Sequence, residues 1–527
     1  MANRAQPFNA SALQQMGVPP LDSGIDGRGI VIGVIDYGFD ILHPCFRYTA
    51  TGQTRFRYLW DQNTGREFDA RDVDRLIAAS DRTGSRDAAD AEYDPHANYF
   101  GRYGVQSGAH GTVMAAIAAA SPVAGFRGVA PAADLIAVQL GLLDHHWREE
   151  DENGLPTWRH WRPEMEPVWN GWRSYDEAAQ IVSALEYIYA RAVHLNARGL
   201  VVNLSIGAYA GAHDGRSRVE QAISDLTGRC LQSDLPCAVV VGAGNAGLEE
   251  GHFGGKAEPG RPLSFAWRMH RDDPTQNKLE IWYRSETPLE ISVSPHPGHP
   301  GWSISPGRTH TIELCGTRIG IADHVPFARS PRSRIRIAVH PPYVPDHFWH
   351  EYSGELSLEI NCSATGSCPA DIHAWVERDD GLANRSTLYP AYAESTLASL
   401  AAAEGAIIAA GYDHHRTAAN PDPFPASSLG PLPWAVTKDA ANLICAPAHR
   451  IWGARSKTAG FVETSGTSAA AALTSGAMAL LMQCLASRRG LEPQRWTDLL
   501  VPRRDTWSPR FGFGPVNIAD TLKEVRG

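Results

Sequence analysis

The sequence has no long apolar run. Nowhere does it reach the ~18 uninterrupted apolar residues that a membrane-spanning helix needs, so no membrane partner is expected. It also has no excess of positive charge. The 48 Lys and Arg stand against 58 Asp and Glu, a formal net charge of −10, which argues against a general nucleic-acid binder. Cysteine is sparse and scattered. Cys230/Cys237 and Cys362/Cys368 lie close in sequence, but the eight cysteines show no paired CxxC metal spacing. The stretch MANRAQPFNASALQQMG carries no apolar segment of the secretory type. Reduced thiols and a cytoplasmic location are therefore the expectation. Internal repeats and long low-complexity tracts are missing too.

What is present describes a globular chain. Its 527 residues allow two or three domains, and 43% hydrophobic with 20% charged residues is an ordinary globular balance. Short runs rich in Val and Ile read as strands buried on both faces: GIVIGVID (29–36), DLIAVQL (134–140), LVVNLSIG (200–207), CAVVVGAG (237–244), AIIAAG (406–411) and NLICA (442–446). Helical patterns alternate with them, at HGTVMAAIAAA (110–120), SYDEAAQIVSALEYIYARAVHLNARG (174–199) and TSGTSAAAALTSGAMALL (464–481). Alternation of this kind predicts an α/β fold built on a doubly wound, mostly parallel sheet.

Three segments break the pattern. Residues 47–107 are polar and aromatic, and residues 144–173 are rich in Trp and charge. Residues 262–385 hold short alternating runs such as KLEIWYRS, SRIRIAVH and GELSLEIN, separated by Pro- and Gly-rich turns. They predict an antiparallel β-sandwich inserted between two strands of the α/β sheet. The expected organisation is an N-terminal extension (1–24), an α/β domain (25–261 and 386–527) and the inserted domain (262–385).

Four polar residues stand at strand ends or helix starts, where doubly wound sheets gather their sites. Asp36 ends VIGVID, His110 opens a helix in GAHGTVMAAI, Asn245 follows a strand in VVVGAGNAG, and Ser468 opens a helix in SGTSAAAA. Each alone has an ordinary reading: a turn carboxylate, a helix-start residue, an αL turn residue, a helix cap. Serine hydrolysis needs a nucleophile, a base, an acid that orients the base, and an oxyanion donor, and the four are candidates for these.

In order and local setting the four resemble the subtilisin-like serine peptidases. GFDILHP (38–44), VNLSIG (202–207), SSLGPL (427–432) and NLICAPA (442–448) are similar to blocks of that family. The likeness covers most of residues 25–260 and 390–520. TRFRYLWDQ (54–62) and the β insert resemble the Csp-type branch, which carries a jelly-roll insert. The resemblance implies a serine endopeptidase acting through an acyl-enzyme: Ser468 as nucleophile, His110 as general base, Asp36 as its orienting acid, Asn245 as oxyanion donor. It implies that Ser205, Ile206 and Gly207 form a strand edge that binds peptide, or else a plain sheet terminus. Ala243 and Gly244 would line one wall of the pocket. Tyr37 and Ala448 depart from the family, which has Thr or Ser and Gly at those places. The usual folding prosegment is not expected, because the Asp36 block begins about 30 residues into the chain.

Protein or peptide substrates follow from this reading, with a partner subunit or self-association through the β insert as a further expectation. No cofactor is required. The resemblance leaves calcium open, with Asp40 as a ligand, but no dense carboxylate cluster stands beside it. His145 and His146 lack a third ligand at useful spacing, so no metal site is expected. Glu249, Glu250 and Glu258 form either an acidic rim that favours basic side chains or a solvated loop. The Trp-rich segment is either a roof over the cleft or part of the core. The competing function is a catalytically silent scaffold whose cleft only holds a peptide.

Overall fold

The computed structural model describes residues 8–96, 109–141, 174–269, 277–339 and 356–526, apart from short breaks within these spans. A nine-stranded sheet forms its centre. Along it the strands run Asp422–Pro423, Ala406–Asp413, Cys237–Gly242, Gly199–Leu204, Ile30–Asp36, Asp134–Gln139, Phe56–Asp61 and Arg66–Asp69, with Leu443–Pro447 also paired to Ala406–Asp413. Asp422–Pro423 and Arg66–Asp69 pair antiparallel to their neighbours; the other pairs are parallel. The central strands are apolar at nearly every position because helices cover both faces: Ile30–Asp36 is buried at all seven residues.

Two apolar cores result. One face packs on the helices His110–Ala119 and Thr467–Leu485, and the other on Ser174–His194 and Arg218–Gln232. The helix Thr467–Leu485 is long and apolar enough to cross a membrane, yet it lies almost wholly inside the first core. Its Ala run lets neighbours approach closely. A Cβ on Gly476 would stand 2.4 Å from Val129 Cβ and 2.7 Å from the Ala118 carbonyl, so only glycine fits there. The stretch read as an N-terminal extension joins this core through Ala12, Leu13 and Met16.

The polar and aromatic segment after residue 47 is also built into the sheet. Phe56–Asp61 pairs with Asp134–Gln139, and Ala70–Thr83 is an amphipathic helix held at its start by an Asp69/Asp72 capping box.

The described antiparallel strands run from His252–Ala257 to Thr387–Tyr389, beyond both ends of the 262–385 expected. They form a five-stranded and a six-stranded sheet. Strand alternation puts Leu279, Ile281, Tyr283, Ile335, Ile337, Ile360 and Ile372 into one shared core. The opposite face of the six-stranded sheet is polar and aromatic, with Trp282, Arg332, Arg334 and Trp375 buried on it. That face meets the loop after Gly199–Leu204. The His213 ring stacks on Trp375 at 4.1 Å, and Arg332 reaches Asp214 at 3.1 Å, both partners almost wholly buried. The insert therefore has a core of its own and is also fastened to the α/β part.

Candidate active site

Strand register brings the candidate residues to one edge of the central sheet. Ile35 lies opposite Leu204 on the neighbouring parallel strand, so Asp36 and Ser205 stand side by side, about 5 Å apart. Asp36 is fully buried. Its carboxylate accepts the Tyr37 N–H at 2.7 Å, and the Nδ1 of His110 lies 2.7 and 2.8 Å from its two oxygens. The His110 side chain is 34% exposed, so the ring bridges the interior and the cleft.

Backbone contacts hold that ring. Ala109, just before the helix, has φ of 62°, a conformation costly for a residue other than glycine. The helix start is then tied to the loop after Asp36: Gly111 N–H to Tyr37 O at 2.7 Å, Thr112 N–H to Gly38 O at 2.8 Å. The Thr112 hydroxyl also accepts the Asp40 N–H at 2.7 Å.

Ser468 occupies the second position of the helix Thr467–Leu485. Its Oγ donates to the Ser205 carbonyl at 3.1 Å, and its own carbonyl accepts from the Ser205 Oγ at 3.2 Å. With His110 on Asp36 and Ser468 on Ser205, the two side chains sit at adjacent strand ends. The Ser468 N–H is among the first four of its helix, which have no carbonyl partner inside the helix and favour an anion.

Asn245 is fixed on three sides. Its Oδ1 accepts the Thr467 N–H at 2.9 Å, which leaves its Nδ2 as the donor end, next to Gly466. Its backbone N–H donates to the Tyr209 hydroxyl at 2.6 Å. The following residue, Ala246, donates its N–H to Ser428 Oγ at 2.9 Å. Gly244 has φ of 102°, and a Cβ there would meet the Ser428 hydroxyl and the Tyr209 ring, each at 2.8 Å. Tyr209, Ser428, Thr467 and Thr112 were not visible as site residues in the sequence. Thr112, Ser428 and Thr467 lay inside the blocks GAHGTVMAAI, SSLGPL and SGTSAAAA, whereas Tyr209 lay in none.

The residues expected to bind substrate are placed as follows. The strand ends at Leu204, so Ser205, Ile206 and Gly207 form a loop, with Ser205 buried and the other two half-buried. Ala243 has no exposed surface; its N–H and carbonyl bond to Ala409 O and Ala398 N. Glu249 lines a small cleft beside Tyr209, Ala246 and Glu377. Glu250 and Glu258 lie in turns, their carbonyls accepting from Leu388 and Arg261. Asp40 is fully buried, and its carboxylate takes the Leu42 N–H, the Arg86 guanidinium at 2.6 Å and the Lys457 N–H at 2.7 Å. The Asp40 carboxylate is thus engaged by one guanidinium and two backbone N–H groups. Among the described residues no group of three or more His, Cys, Asp or Glu is arranged to hold a metal ion. The Trp-rich segment 144–173, with His145 and His146, lies outside the described residues.

The doubly wound sheet, with an Asp–His pair and a serine at adjacent strand ends, has subtilisin-like architecture. Residues 27–264 match the model of the Subtilase family. The fold is similar to that of the Clostridium perfringens CspB protease, with a TM-score of 0.72, 21% sequence identity, and coverage of 98% of this chain and 97% of that one. Sphericase matches at a TM-score of 0.41 and 14% identity, covering 94% of this chain and 92% of that one. No curated protein matches the sequence.

Proposed function

We propose that this protein hydrolyses peptide bonds with Ser468 as nucleophile, His110 as general base and Asp36 as the acid that orients it. The observation that carries the reading is the Asp36 carboxylate against the Nδ1 of His110 at 2.7 and 2.8 Å. Held this way, His110 presents its Nε2 as the proton acceptor. As substrate binds, Ser468 turns its hydroxyl from the Ser205 carbonyl toward that nitrogen; such bonds tighten only in the complex. The Oγ attacks the scissile carbonyl. Asn245 Nδ2 and the Ser468 N–H then stabilise the oxyanion. The imidazolium protonates the leaving amine, and water, deprotonated by the same His110, releases the acyl group. No cofactor enters these steps.

The reading extends to a cytoplasmic processing peptidase with few substrates, in which the β insert recognises the substrate or a partner subunit. Seven described cysteines are free thiols, which fits a reducing compartment. The test is cleavage of a proteome-derived peptide library by the purified protein and by Ser468→Ala, read as new N-termini. Cleavage by the wild type alone is expected. Equal profiles, or none from either, would favour the silent scaffold.

A further inference from the structure

The loop that follows Gly199–Leu204 touches the site and the β insert at once. Its first residue, Ser205, exchanges two hydrogen bonds with Ser468. Its middle residue, Tyr209, is buried, and its hydroxyl accepts the Asn245 N–H at 2.6 Å. Its far end is held by the insert, through His213 on Trp375 and Asp214 on Arg332.

A further bond joins the two bodies at Tyr209 itself. The Tyr209 N–H donates to Glu377 Oε1 at 2.9 Å. Glu377 directly follows the strand Ala370–Val376 of the six-stranded sheet, and its own N–H is fixed to Lys278 O at 2.9 Å on that sheet. One continuous path thus runs from insert backbone to Glu377, to Tyr209, to Asn245.

We propose that Tyr209 and Glu377 are positioning residues for the oxyanion hole: the β insert sets Asn245 through the Glu377–Tyr209–Asn245 contact. The proposal rests on Asn245 being the oxyanion donor. The physical reason is the tolerance of such a donor. It must meet the developing charge within tenths of an ångström, and its aim is set by the backbone that carries it. Gly244, at φ of 102°, gives that backbone little steric definition of its own. The Tyr209 hydroxyl and the Thr467 N–H supply it from two directions. Glu377 holds Tyr209 by a charge-assisted bond, stronger than a neutral one. The insert is then part of the catalytic apparatus as well as a recognition module.

The test uses the full-length protein and a fluorophosphonate–rhodamine probe, whose attack by the serine also builds negative charge on oxygen. Rates are followed against probe concentration, so that kinact and KI separate. Asn245→Ala should lower kinact by about 10²–10³. Tyr209→Phe should lower it on the order of tenfold, with KI unchanged, the scale of one misaimed donor. Glu377→Ala should do the same, while Glu377→Gln, which keeps an acceptor oxygen, should recover most of the rate. In the Asn245→Ala background, Tyr209→Phe should have no further effect, because it acts through the group already removed. Circular dichroism confirms the fold of each variant, and Glu377→Ala keeps the test open if Tyr209→Phe does not fold. A full loss in Asn245→Ala with Tyr209→Phe and Glu377→Ala unchanged would overturn the positioning role and leave the oxyanion reading standing. Additive losses in the double variant would overturn it as well. An Asn245→Ala variant as fast as wild type would remove the oxyanion reading itself.

Discussion

Asn245 Oδ1 accepts two hydrogen bonds from one residue, from the Thr467 N–H at 2.9 Å and from the Thr467 hydroxyl at 3.2 Å. The same hydroxyl accepts the Gly244 N–H at 3.1 Å. Thr467 therefore holds the Asn245 amide one way round, with its oxygen toward the helix start, and steadies the backbone before it.

Thr467→Val keeps the shape but removes the hydroxyl. It leaves a part-buried Gly244 N–H unpaired, which costs roughly 1–3 kcal/mol, and frees the amide to turn. The expected result is a fall in kcat on the order of tenfold with KM nearly unchanged, reversed in Thr467→Ser. Steady-state kinetics on a peptide found by cleavage profiling checks it. A rise in KM alone would make Thr467 a substrate contact.

Asp36→Asn separates orientation from packing. The amide fills the same space but cannot hold His110 in the tautomer with Nδ1 protonated. A loss of kcat of about 10³–10⁴ with an unchanged melting temperature is expected. A stable variant with more than a tenth of wild-type kcat would show that Asp36 is a structural strand-end group.

Acid should loosen the junction with the insert. His213, His252 and His373 gather around Trp375, with His252 Nε2 3.0 Å from His373 Nδ1. Burial pushes His213 down to about 3 and His252 to about 4. Burial, then the His252 and His213 neighbours and Arg332, pushes His373 to about 3. In the unfolded chain each takes a proton near pH 6.5, so between about 6.5 and 4 the unfolded state binds more protons. Stability is fully present above that window and falls as the pH drops through it, by about 1.4 kcal/mol per pH unit for each group. The melting temperature should fall more steeply from pH 6.5 to 4.5 in the wild type than in His213→Phe. Parallel slopes would show that His213 is not one of the groups responsible.

Local signals made much of this legible from sequence. The strand Ile30–Asp36 is a continuous apolar run, and Asp36, His110, Asn245 and Ser468 each sit in a short distinctive block. What stayed hidden has no local signature. His252–Ala257 reads HFGGKA, and its two glycines gave no strand signal; it is a strand because Ala370–Trp375 pairs with it. Phe56–Asp61 mixes half-exposed and buried residues near the sheet edge, so it lacked the run that marks a central strand. The Ala70–Thr83 helix did carry a signal, the Asp69/Asp72 box before Val73, Leu76 and Ile77, that a compositional reading passes over. Tyr209 and Glu377 stand 168 residues apart, and only the docking of the insert brings them together.

The central claim is that Ser468 is a nucleophile activated by His110. It is tested most directly by the intact mass of the purified protein after fluorophosphonate treatment, followed by peptide mapping. The account predicts one adduct per chain, on the peptide that contains Ser468, absent from Ser468→Ala and strongly reduced in His110→Ala. No adduct on the folded wild type, or an adduct that persists in Ser468→Ala, would contradict it.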